Sequence, residues 1–273
     1  MMPTPCPLPT LFVSHGSPTF ALEPGRIGAA LARLGQELTR PRAILVLSAH
    51  WMTRDLRVTG AARPETIHDF GGFPQPLYQL RYPAPGSPEL ADQLIKLLAD
   101  QGVGVTEDPV RGLDHGVWVP LMHLYPEADI PVVALSLPAF YGTRESLALG
   151  RACAALREQG VLIIGSGSIT HNLYDMSTGP TARYVTEFTD WTDRQIGEGN
   201  IEALLDYRRL SQAGVRAHPT EEHLLPLYFA IGAAGDDWRH AKRLQGQITH
   251  SVLAMDAWLF GDENEEEGQT SSG

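Results

Sequence analysis

Four short apolar runs rich in valine, isoleucine and leucine punctuate the chain, at 10–15 (TLFVSH), 43–50 (AILVLSAH), 131–137 (PVVALSL) and 161–168 (VLIIGSGS), each bounded by turn-forming residues. Runs of that length without polar alternation predict strands buried on both faces of a sheet. Between them, segments 26–39, 88–101 and 144–159 space their apolar residues three and four apart, which predicts amphipathic helices. Strand alternating with helix predicts an α/β fold, a single domain with a central mixed, largely parallel sheet flanked by helices. After residue 180 the pattern turns mostly helical, with candidates at 181–198, 200–211, 220–233 and 246–259. Residues 66–87 are broken by prolines and rich in aromatics, and predict an ordered loop that covers something. No repeat or long linker divides the chain, so residues 1–260 read as one domain and 261–273 as an acidic, solvated tail.

Composition narrows the function. The 273 residues carry 21 Lys and Arg against 32 Asp and Glu, a net charge of −11. With no basic block to replace phosphate counterions, a nucleic-acid partner is excluded. No apolar run approaches the roughly 20 residues of a membrane span, and the N-terminus lacks the charged and apolar regions of a signal peptide. Two cysteines, Cys6 and Cys153, read as free thiols of a reducing compartment. The expectation is a cytoplasmic protein, monomer or homodimer.

The candidate chemistry lies in the histidines. His15 and His50 close the first two predicted strands, where open α/β sheets place their ligand crevice, and adjacent parallel strands would bring the two imidazoles side by side. Small neighbours (Ser14, Gly16, Ser17; Ser48, Ala49) leave room for an occupant. His171 follows the fourth strand, and His115 sits in GLDHGVW ahead of the third. In HPTEEHLLPLYF (218–229), Thr220 is placed to cap a helix and put His223 in its first turn. His218, five residues earlier, would then lie off that face, while Glu221 and Glu222 stay open as carboxylate donors. His68, His123, His240 and His250 read as structural. GSGS at 165–168 lacks the lysine of a phosphate loop and reads as a plain turn. No serine sits in a nucleophile elbow, and neither cysteine has metal-ligand spacing.

Seven phrases in order, LFVSHGSP (11–18), ILVLSAHW (44–51), HDFGGFP (68–74), YPAPG (82–86), GLDHGVWVPL (112–121), GSGSITHNL (165–173) and HPTEEHLLPL (218–227), make the chain resemble the DOPA-dioxygenase branch of the class III extradiol aromatic ring-cleavage dioxygenases. The resemblance spans nearly the whole chain. It implies a single α/β domain and one divalent metal held by His15, His50 and His223. Fe(II) is then the metal for turnover, with Zn(II) expected in isolated protein. It further implies His171 as catalytic acid/base, His115 as a substrate-contacting or supporting residue, and a catecholic substrate with O2 as co-substrate. Trp51, Phe70, Phe73, Trp118 and Tyr228 are the expected pocket walls. Gly71 departs from the bulky residue expected there and should widen the pocket or loosen the loop. The wider superfamily often ligates its metal through two histidines and a carboxylate, which keeps Glu222 in play beside His223. A zinc hydrolase on the same histidines, or a non-catalytic metal-binding relative, is the alternative.

Overall fold

The first apolar run forms β1 (Thr10–Ser14), buried at every position. Helix α1 (Gly25–Glu37) turns Ile27, Leu31 and Leu34 inward at helical spacing. The second run becomes β2 (Ala43–Thr53), longer than predicted, and leads into the short β3 (Arg57–Thr59). Helix α2 (Pro88–Ala99) starts as its sequence dictates: Ser87 Oγ accepts the Leu90 N–H at 3.1 Å and Pro88 takes the first position, where an N–H would be unpaired anyway. Then follow β4 (Thr106–Asp108), α3 (His115–Leu124), β5 (Val132–Pro138), α4 (Thr143–Cys153) and β6 (Val161–Gly167). The later part holds α5 (Arg183–Gly197), α6 (Ile201–Leu205), α7 (Tyr207–Leu210), α8 (Gln212–Ala217) and α9 (Leu225–Ala234). It ends in β7 (Ala241–Leu244), β8 (Ile248–Thr249), β9 (Leu253–Ala254) and β10 (Ala257–Phe260). This computed structural model describes residues 7–261, so Cys6 and the acidic run Asp262, Glu263, Glu265, Glu266 and Glu267 lie outside the described residues.

Eight strands form one sheet in the order β4-β3-β5-β2-β6-β1-β10-β7. The central pairs β5/β2, β2/β6 and β6/β1 are parallel, while β10 runs antiparallel to both β1 and β7. Side-chain alternation divides the core between the two faces. Phe12, Leu45, Leu47 and Ile163 point to the layer of α2, α4, α5 and α9, and Leu11, Val13, Ile44, Val46 and Ile164 to that of α1 and α3. Helix α9 is buried at every residue, as an all-round apolar helix must be. Among the described residues no helix is long and apolar enough to cross a membrane.

Four expectations are corrected. The helix predicted at 246–259 is instead β8, β9 and β10, because a short apolar run has no periodicity of its own and the exposed edge of β1 takes Ala257–Phe260 as its partner, with Thr10 opposite Phe260. Predicted helix 200–211 breaks at Asp206 into α6 and α7. Predicted helix 220–233 begins only at Leu225, so Thr220 is no cap; its hydroxyl instead bonds Glu222 Oε1 at 3.1 Å. Finally, β1 and β2 are not neighbours, because β6 lies between them.

Candidate metal centre

His15 and His50 converge across β6, the intervening strand, which carries glycines at 165 and 167. A Cβ at Gly165 would collide with the Pro226 carbonyl, and one at Gly167 with the His223 carbonyl. The two glycines therefore let the chain entering α9 lie directly on β6, and the Ser168 N–H fixes it there by donating to His223 O at 2.8 Å. Gly165–Gly167 thus form the end of β6 rather than a plain turn, and with Ser168, just beyond the strand, they seat His223. On the opposite face of β6, the Ser166 hydroxyl donates to Gly116 O. That carbonyl has no helical N–H to accept, because the residue four positions on is Pro120.

His15 leaves β1 with its N–H donating to Gly167 O at 2.9 Å. β2 loses register against β5 between Leu47 and Met52, the stretch that holds His50. Its backbone N–H donates to Ser48 Oγ at 3.2 Å, and Ser48 in turn donates to the buried Asp114 at 2.7 Å. His115 opens α3, with its backbone N–H on Asp69 Oδ1 at 2.8 Å and its ring Nδ1 on Asp69 Oδ2 at 2.9 Å. His171 stacks on His223 with ring centres 3.5 Å apart and planes within 8°.

The nitrogen geometry follows from these partners. His50 Nε2 lies 2.9 Å from His15 Nε2 and 3.3 Å from His223 Nε2. Two imidazoles bound at about 2.0–2.1 Å to one cation place their nitrogens about 2.9 Å apart at a right angle and about 3.3 Å at the tetrahedral angle. On the far side, the rings of His15 and His223 have a hydrogen-bond partner that makes Nδ1 the donor. His15 Nδ1 donates to Ser166 Oγ at 3.0 Å, since the Ser166 proton is already on Gly116. His223 Nδ1 donates to Glu222 Oε1 at 2.9 Å, and His50 Nδ1 faces Asp69 Oδ2 at 3.6 Å. In His15 and His223, Nε2 is left with a free lone pair, the arrangement that orients histidine ligands.

Electrostatics agree. Burial lowers the pKa of His15, His50 and His223 below the usual imidazole value, His50 to about 2, and the mutual repulsion of neighbouring rings adds to it. His171 is likewise lowered to about 2, first by burial and then by His223. Burial would raise the Asp69 and Glu222 carboxyls, but bonds from His115 and His223 outweigh it and hold both at about 2. The result is a nest of neutral imidazoles backed by two carboxylates. Among the described residues, the donor sets within 4.8 Å of one another are His15, His50 and His115, and His171, Glu222 and His223. They abut through the His50–His223 contact, so the centre is one cluster of five histidines, in which the Nε2 atoms of His15, His50 and His223 are spaced to fit a divalent cation.

The expected pocket walls separate. Phe70 faces His115 edge-on at 5.7 Å and packs on Phe73, Tyr78 and Trp118, so the aromatic loop does cover the histidines. Trp118 is fully buried with its indole N–H on Ile67 O, supporting that loop from below. Trp51 lies buried in the core beneath the Arg111 guanidinium. Tyr228 is also a core residue, its hydroxyl donating to Leu204 O at 2.7 Å. A side chain at Gly71 would meet nothing within 4 Å. His218 is buried with Nε2 on Ile169 O, outside the cluster. Asp69 and Asp114 were not singled out from the sequence, although both stand inside phrases that were, one residue from Phe70 and from His115; Ser166 was weighed only as a nucleophile and set aside.

Residues 10–256 match the family described as the catalytic LigB subunit of aromatic ring-opening dioxygenase. A 4,5-DOPA dioxygenase extradiol of Beta vulgaris is 43% identical over 257 residues, 92% of this chain and 96% of its own length. A protein of the same name from Escherichia coli (strain K12) is 42% identical over 232 residues, 83% of this chain and 85% of its own. The crystal structure of an uncharacterized protein from Escherichia coli K12 superposes with a TM-score of 0.77 at 33% identity, covering 93% of this chain and 100% of that one.

Proposed function

The chain belongs to the aromatic ring-opening dioxygenase family, in its extradiol DOPA-dioxygenase branch, and from that premise we propose that it opens a catechol ring with both atoms of O2 to give a muconic semialdehyde. The observation that carries the reading is the convergence of the Nε2 atoms of His15, His50 and His223, with the Nδ1 atoms of His15 and His223 bonded to Ser166 and Glu222. These three side chains would hold one divalent metal. Bound there, Fe(II) would supply the open positions and the redox change that join a catecholate to dioxygen, which zinc does not.

The remaining groups do proton and positioning work. His171, stacked on His223 at the edge of the centre, is placed to accept the proton of a catechol hydroxyl and later return it to a leaving oxygen. His115 faces the same space with a free Nε2, because its Nδ1 is committed to Asp69. Phe70 and Phe73 close one side against water and offer flat apolar surface to an aromatic ring.

The test is anaerobic reconstitution of apo-protein with Fe(II) or Zn(II), followed by oxygen uptake and absorbance with DOPA, caffeate, protocatechuate and catechol. Uptake with a yellow product for iron alone is the expected result. The His171→Gln protein should bind iron yet turn over about 10²–10⁴-fold more slowly. Absence of uptake with every catechol, at full metal occupancy, overturns the proposal and leads to ester and amide assays with zinc.

A further inference from the structure

We propose that Asp69 is the positioning residue of His115: one carboxylate caps helix α3, sets the tautomer of the His115 ring and ties the aromatic loop to the metal centre. The sequence puts a different aspartate at the helix start. Asp114 occupies the N-cap but makes no capping bond, because its carboxylate is taken by Ser48 at 2.7 Å and Arg111 at 3.2 Å. The first N–H of the helix would be left unpaired. Asp69, 46 residues earlier in the chain, reaches in to accept it at 2.8 Å. The second oxygen of the same carboxylate accepts the His115 Nδ1–H at 2.9 Å. Two bonds to one residue, one to backbone and one to ring, leave the imidazole no freedom to rotate, and they commit Nε2 to be a hydrogen-bond acceptor.

The distances separate this role from a role toward the metal ligands. Asp69 Oδ2 is 2.9 Å from His115 Nδ1 but 3.6 Å from His50 Nδ1, beyond a hydrogen bond. Asp69 also fixes what covers the site. The next residue, Phe70, meets His115 edge-on at 5.7 Å and Tyr78 at 5.3 Å. Just before it, Ile67 is pinned by its N–H to Leu113 O at 2.7 Å. The loop therefore closes against the same imidazole that the carboxylate orients, and a catechol lying under Phe70 would meet the His115 lone pair.

Asp69→Asn separates the capping role from the tautomer role. The asparagine oxygen still accepts the His115 backbone N–H, so the cap and the fold survive. The amide NH2 now donates, so the ring must turn Nδ1 into an acceptor and carry its proton on Nε2. Long-range proton–nitrogen NMR of the zinc-loaded, nitrogen-15-labelled protein reads this directly. We expect His115 protonated on Nδ1 in the parent and on Nε2 in D69N, with zinc affinity by chelator competition unchanged. In the iron protein, D69N should lower kcat about 10–100-fold. A parent His115 protonated on Nε2, or an unchanged tautomer in D69N, overturns the proposal. Zinc affinity falling by the same factor as turnover also overturns it, by assigning Asp69 to His50. Only the kcat readout rests on the ring-cleavage reading: if no catechol is turned over, that reading fails while the two tautomers still decide the role of Asp69.

Discussion

Ser166 shows how one side chain transmits a sequence feature to the metal centre. Pro120 leaves the Gly116 carbonyl without a helical donor, the Ser166 hydroxyl donates to it, and His15 Nδ1 then donates to Ser166, which leaves Nε2 for the metal. Replacing Ser166 with alanine strands a buried ring N–H, at a cost of about 1–3 kcal/mol, and frees the imidazole to rotate. Zinc affinity measured by chelator competition is expected to fall about 10–100-fold; an unchanged affinity would show that Ser166 does not orient His15. At this scale His15, His50, His115, His171 and His223 were legible in the sequence, because a histidine at a strand end announces its chemistry by type. Asp69 and Ser166 were not. Their partners lie 46 and 151 residues away, and an aspartate in a loop or a serine between glycines has many ordinary uses.

Elements succeed or fail in the sequence according to whether their cause is local. The four apolar runs became β1, β2, β5 and β6, since continuous branched apolar residues have few stable alternatives to a buried strand. The end of β6 looks like a turn because its glycines are weak strand formers. It is held as a strand by what packs on it, namely the backbone at His223 and Pro226, which only glycine admits. Gly167→Ala should therefore force the His223 carbonyl away, destabilise the fold by about 1–3 kcal/mol and lower metal stoichiometry together with the melting temperature. Gly71→Ala is the matched control: with nothing near its Cβ, its effect should stay within about 0.5 kcal/mol. Equal effects of the two substitutions would contradict the close approach at β6.

The molecule as a whole folds around imidazoles that it keeps neutral, and this makes its stability depend on pH. In the unfolded chain histidine takes up a proton near pH 6.5. In the native state burial holds His218 at about 4, partly offset by its bond to the Ile169 carbonyl, and holds His50 and His171 at about 2. Below pH 6.5 the unfolded state binds protons that the native state refuses, so stability falls as pH falls. Each such histidine contributes about 1.4 kcal/mol per pH unit until its native pKa is reached. Asp69 and Glu222, with native pKa values of about 2, add a loss of the same sign at still lower pH. Urea midpoints of metal-free protein should drop steeply between about pH 7 and 5, and bound zinc should delay the drop by stabilising only the native state. A flat profile would mean that the cluster is protonated in the fold. What the sequence determined by itself is the α/β class and the buried runs that lead to His15 and His50, because these follow from residue type and short-range periodicity; β2 runs on to Thr53, so His50 lies within that strand and does not close it. Only the tertiary structure decided that β6 separates β1 from β2, that residues 248–249, 253–254 and 257–260 pair as strands, and that Ser166, Asp69 and Glu222 meet the Nδ1 atoms of His15, His115 and His223. Those outcomes depend on sheet edges, close backbone approaches and hydrogen-bond partners that meet only after distant segments pack together.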